Sequence, residues 1–68
     1  MEIYLAFNSE PDYSAGTPRF KSAHKTFEGA KKSLFPDKDY NFHQWSHNPK
    51  TWEGPDGYGL IRLVEVQE

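Results

Sequence analysis

The chain has 68 residues, ten acidic and eight basic, for a formal net charge of −2. That length holds one small domain, residues 1–68, near the lower size limit for independent folding, where only about 60% of the unfolded chain's surface is buried. There is no cysteine, which excludes disulfides, thiolate zinc sites, iron–sulfur clusters and thiol nucleophiles.

Stability must then come from apolar and aromatic packing. Five Phe, four Tyr and two Trp supply it, each able to bury about 150–250 Å². A secreted domain of this size usually relies on disulfides. The opening Met1-Glu2-Ile3-Tyr4-Leu5-Ala6-Phe7 lacks a basic leader and has only a short apolar run. No stretch approaches the ~20 apolar residues of a membrane span, and mean hydropathy is −0.91. The expectation is a soluble cytoplasmic protein without a membrane partner.

Ile3, Leu5 and Phe7 alternate with Glu2, Tyr4 and Ala6, a period of two that predicts a half-buried strand. Asn8 to Thr17, with Ser9, Pro11, Asp12, Ser14 and Gly16, is loop chemistry in which Tyr13 can pin the loop to the body. Pro18 to Lys25 is either a short edge strand or an extended lead-in to a helix. Thr26 is the expected N-cap, with Glu28 in the first turn at the positive end of the helix dipole. Phe27, Ala30 and Leu34 form one apolar stripe, and Lys31 and Lys32 fall late in the helix, where cations are favoured. Pro36 stops it near Phe35. Gly29 is unfavourable inside a helix by roughly 1 kcal/mol, and a close approach to the sheet is the expected reason.

After a turn at Pro36–Asp39, Tyr40 to His47 alternates as a second strand. It sets Tyr40 and Phe42 on one face and His43, Trp45 and His47 on the other. Asn48-Pro49-Lys50 and Gly54-Pro55-Asp56-Gly57 are turns around Thr51-Trp52-Glu53, and Tyr58 to Val66 is the strongest strand. The predicted fold is α+β: a two-layer sandwich with one helix on an antiparallel sheet of about three strands, in the order strand, helix, strand, strand. The first or last strand is expected at a sheet edge, where it can pair with a second copy to give a homodimer.

No catalytic residue is assigned. His43 and His47 share a strand face but lie ~13 Å apart by strand rise, so no metal and no cofactor is expected. Glu53 with Asp56, and Asp37 with Asp39, flank turns as solvated loop residues. There is no nucleophile elbow and no phosphate-binding glycine loop. Charge is segregated. Residues 19–38 carry six bases and two acids; the rest carries two bases and eight acids. The basic segment is a solvated helix face or a docking surface for an anionic partner. Trp45 and Trp52 are either core, covered by the Asn8–Thr17 loop, or an exposed surface of the kind enriched at binding hot spots.

The strand Ile3–Phe7, the helix opening Thr26-Phe27-Glu28-Gly29-Ala30-Lys31 and the Trp-rich segment from Trp45 to Val66 together resemble small accessory proteins of phage and bacterial genomes. The resemblance implies a small accessory protein, a group that includes phage proteins that bind and inhibit host factors, and it carries over no functional residue. The leading expectation is a non-enzymatic protein-binding module, with His43, Trp45, His47, Trp52, Lys31 and Lys32 as candidate contact residues. The alternative is a nucleic-acid-binding accessory protein using Arg19, Lys21, Lys25, Lys31 and Lys32.

Overall fold

Thr26 opens the helix. Its backbone is extended, and its hydroxyl accepts from the Gly29 amide at 3.0 Å, satisfying a donor that the helix cannot satisfy itself. Helix α1 runs Phe27–Leu34 and stops at Phe35, one residue before Pro36. The strands are β1 (Glu2–Asn8), β2 (Arg19–His24), β3 (His43–Gln44), β4 (Thr51–Glu53) and β5 (Leu60–Glu65), with a 3-10 turn at Pro55–Gly57. This computed structural model describes residues 1–8 and 19–67, apart from the side chain of Asp56. The loop expected at Asn8–Thr17 lies outside the described residues from Ser9 onward, as do Tyr13 as its anchor and its role as a cover.

The fold is α+β, with one helix on an antiparallel sheet ordered β2-β1-β5-β4-β3. Among the described residues five strands replace the expected three, for two local reasons. Arg19–His24 alternates too weakly to choose between strand and lead-in, and it forms the edge strand β2 beside β1. The expected Tyr40–His47 strand shrinks to His43–Gln44, while Thr51–Glu53 pairs on both sides and becomes a strand of its own. The expectation that the first or last strand lies at an edge is also overturned. β1 and β5 pair with each other in the interior, from Glu2↔Glu65 to Phe7↔Leu60. The edges are β2, interrupted by a bulge between Ala6 and Phe7 of its partner, and the two-residue β3. Short and bulged edges resist pairing with other chains, so the reason given for a homodimer is gone.

The core lies between α1 and the sheet. Ala6, Ala30 and Ile61 are completely buried. Around them Tyr4, Phe27 and Trp52 form a ring cluster, with centroids 5.1–6.0 Å apart in tilted and edge-to-face geometries. Phe42 and Phe35 extend it at 5.8–6.1 Å. Two small alanines face each other where helix and sheet meet, and large rings close the flanks. Gly29 belongs to this fit: a Cβ there meets Thr26 Oγ1 at 3.1 Å and His24 Nδ1 at 3.4 Å. Gly54 is still tighter, since a Cβ there lies 2.0 Å from the Tyr58 carbonyl oxygen.

Candidate functional site

Strand side chains alternate between faces, so the register divides the sheet into two surfaces. Ala6 stands beside Ser22 and Ile61, and Trp52 also pairs with Ile61; these side chains belong to the helix side. The other face carries Ile3 opposite Val64, Leu5 opposite Arg62, and Phe7 between Leu60 and Phe20. The more apolar row of β1 is therefore the one the helix does not cover. An eight-residue helix must approach closely to bury anything, and Ala6 permits that approach where Leu5 or Phe7 cannot. Among the described residues, no helix or strand lies over this second face.

At one end of the open face is a groove of about 350 Å³, lined by Phe7, Trp45, Asn48, Thr51, Leu60 and Arg62. Each wall has a local cause. Leu60 and Arg62 are alternate residues of β5, so they point the same way while Ile61 points into the core. Trp45 follows β3 and is held by its backbone, which donates to the Thr51 carbonyl at 2.9 Å. Its indole nitrogen lies 3.3 Å from Glu53 Oε1, and His47 stacks on it at 5.2 Å and 19°. Asn48 caps its own turn by accepting from the Lys50 amide at 3.3 Å. Phe20, at the rim beside Phe7 with ring centroids 5.8 Å apart, is 59% exposed. Phe7, Trp45 and Leu60 supply apolar wall, Asn48 and Thr51 are polar but neutral, and among the described residues the only charged side chain lining the groove is Arg62, which is exposed. Among the described residues it makes no salt bridge.

The expected contact residues separate. Trp45 lines the groove and His47 backs it. His43 is exposed on β3, opposite Glu53. Trp52, one residue away from Glu53, turns to the helix side and packs on Tyr4 and Phe27. Lys32 is exposed on α1. Lys31 is only 12% exposed; its Nζ sits 2.8 Å from Asp39 and 3.7 Å from Glu28. The hydrogen bond from Lys31 holds the Asp39 carboxyl below its ordinary range, and Asp39 in turn raises the Lys31 ammonium. Lys31 is thus used to tie the helix to the following loop. Lys21, the bulged residue of β2, donates to the Ser33 carbonyl near the helix C-terminus, where a cation is favoured.

A second cluster joins β2 to α1. Ser22 Oγ and His24 Nε2 are 2.7 Å apart, Ser22 Oγ lies 3.4 Å from Ser33 Oγ, and Ser33 donates to the Ala30 carbonyl at 2.8 Å. A hydroxyl beside an imidazole is the first half of a nucleophile–base pair. Here no carboxylate among the described residues bonds to His24 to orient it, and the ring packs against Gly29 at the helix start. The cluster fastens an edge strand to the helix.

Phe7, Leu60, Thr51, Asn48, Phe20 and Arg62 were not among the residues singled out from sequence. Period-two patterning does put Leu60, Arg62 and Val64 on one face of a strand, but it does not say which face the helix takes. No family model, no curated protein and no solved structure matches this chain.

Proposed function

We propose that this chain is a non-enzymatic protein-binding module whose contact surface is the open face of the sheet. The observation that carries this reading is the apolar row Ile3, Leu5 and Phe7 with Leu60, Val64 and Phe20, standing on the side away from α1. Contiguous apolar surface of this kind marks interaction sites. Its mix of aromatic rings with one arginine matches the residues that dominate binding energy at interfaces. The resemblance to small phage and bacterial accessory proteins supports a modulator or inhibitor of a host protein as the biological form of such a module. The nucleic-acid alternative loses two of its five cations, because Lys21 and Lys31 are bonded within the protein.

A displayed library of random short peptides, selected against the immobilised protein, tests the reading. Enriched peptides should perturb the fluorescence of Trp45, and Phe20→Ser should weaken them by about tenfold or more. A library that enriches nothing, or peptides that ignore Phe20 and Trp45, would sink the proposal.

A further inference from the structure

We infer that the partner presents an acidic segment: an apolar or aromatic side chain that enters the groove, next to a carboxylate that pairs with Arg62. This rests on the binding-module reading and adds the chemistry of the partner to it.

Arg62 occupies an unusual position. It stands between Leu5 on β1 and Thr51 on β4, in the middle of the open face rather than at its rim. Thr51, its cross-strand neighbour on β4, is 4% exposed. Phe7 and Leu60 lie one pair further along the same face. Covering this face with a purely apolar partner would strip water from the guanidinium and give nothing in return, a costly outcome for a charge without a counter-ion. A carboxylate removes that penalty, and the planar fork of arginine fits it with two parallel hydrogen bonds. The nearby Glu53 carboxylate accepts from the Trp45 indole across the groove wall.

Other occupants fit less well. A second copy docked through the same face about a two-fold axis brings two unpaired guanidiniums into one apolar interface. Basic or nucleic-acid partners fail for different reasons: the first repels Arg62, and the second finds one cation among neutral lining residues instead of a basic track. The groove volume of about 350 Å³ is at the small end of the ~300–1,000 Å³ typical of ligand sites. It suits a single anchoring side chain, with the remaining contacts spread along the sheet.

The test uses three fluorescein-labelled synthetic peptides that share one central Leu-Phe anchor. One is flanked by Asp and Glu, one by Ser, one by Lys. Binding is read by anisotropy at low ionic strength, against the wild-type chain, Arg62→Gln, Arg62→Lys and Arg62→Glu, each first shown to be folded by its melt. The acidic peptide should bind wild type about tenfold or more tighter than the Ser peptide, and the margin should narrow as salt screens the pair. Arg62→Gln should erase the margin, Arg62→Lys should keep part of it, and Arg62→Glu should transfer the preference to the Lys peptide. Equal binding of the acidic and Ser peptides overturns this inference while leaving the module reading intact. So does an acidic preference that survives Arg62→Glu but disappears on reversing Lys25 and Lys32, which would move the site to the helix region. If none of the three binds, the acidic-partner inference is wrong, and the fate of the module reading is decided separately by the peptide library. Sedimentation of the free chain adds one more outcome: a dimer lost on Arg62→Glu or Phe20→Ser would replace the peptide with a second copy.

Discussion

The two faces of the sheet are built from the same five strands and are used in opposite ways. Under the helix, two alanines and Ile61 are sealed by Tyr4, Phe27 and Trp52. On the other side, Ile3, Leu5, Phe7, Leu60 and Val64 are only half-buried, although Ile3, Leu5 and Phe7 form the more apolar row of β1. Hydrophobicity alone therefore does not choose the core in a domain this small. The choice falls to steric fit, because a short helix gains most where small side chains let it come close and rings fill the sides. Among the described residues, no helix or strand covers the larger aliphatic row. The two tryptophans report on the division, Trp52 from the sealed side and Trp45 from the open one.

The strongest way to break the comparison is to cut equivalent side chains from the two faces of β5. Ile61→Ala should cost about 3–4 kcal/mol, since the cavity it leaves is enclosed on every side. A domain with ~5 kcal/mol of stability is then close to unfolded at ordinary temperatures. Leu60→Ala, its immediate neighbour, should cost roughly 1–2 kcal/mol, because half-buried atoms lose less on removal. Urea titrations followed by circular dichroism give both values, and equal losses would mean that the faces are equally core-like. The tryptophans come next. Trp52→Ala should cost about 3 kcal/mol through its packing on Tyr4 and Phe27. Trp45→Ala should cost about 1 kcal/mol and leave a melt near wild type. A collapsed melt for Trp45→Ala would make the groove wall structural.

The sequence shows some of this division and hides the rest for identifiable reasons. The helix could be placed to within a residue, because its signals are local: the Thr26 cap, the Phe27–Ala30–Leu34 stripe and the Pro36 stop. β1 could be found by its alternation and β5 by its density of apolar residues, but their central pairing joins the two ends of the chain. The Val66 amide donates to the Met1 carbonyl at 2.7 Å, a contact that no local pattern encodes. β3 and β4 were obscured because strands of two and three residues are too short to show a period. Trp52 and Trp45 could not be assigned to core or surface, since the assignment depends on register against Ile61 and on where β3 ends, at Gln44. The groove was missed for the same reason: its walls come from β1, β4, β5 and the β3–β4 turn, four segments scattered along the chain.

A smaller effect sharpens the comparison at its rim. Phe20 is 59% exposed and touches Phe7 edge-on at 5.8 Å. Phe20→Ser should change stability by less than about 0.5 kcal/mol, yet it should weaken any peptide bound on the open face by about tenfold. Melting and anisotropy on the same variant separate the two roles. A large loss of stability with unchanged binding would assign Phe20 to the fold and remove it from the contact surface.

The smallest expected effect belongs to the helix side and concerns pH. Lys31 and Asp39 form a 2.8 Å pair that ties α1 to the loop leading toward Phe42. The hydrogen bond from Lys31 lowers the Asp39 carboxyl, so its contribution is present above the ordinary carboxylate range and is lost as pH falls through its depressed value. The bond to Asp39 raises the Lys31 ammonium, so that contribution is complete below its ordinary value of 10.5 and is lost as pH rises through the elevated one. The pair therefore operates from mildly acidic to moderately alkaline pH and fails at both extremes. Because Asp39 is 81% exposed, solvent screens the attraction, and Asp39→Asn should lower the melting temperature less than either tryptophan variant. Measured across pH, the gap between wild type and Asp39→Asn should be widest near neutrality and close in acid. A gap that stays constant into acid would show that the effect of Asp39→Asn does not come from the lost carboxylate charge. The open face should not respond at all: peptide binding by Asp39→Asn should equal that of wild type at neutral pH, because the pair and the groove lie on opposite sides of the sheet.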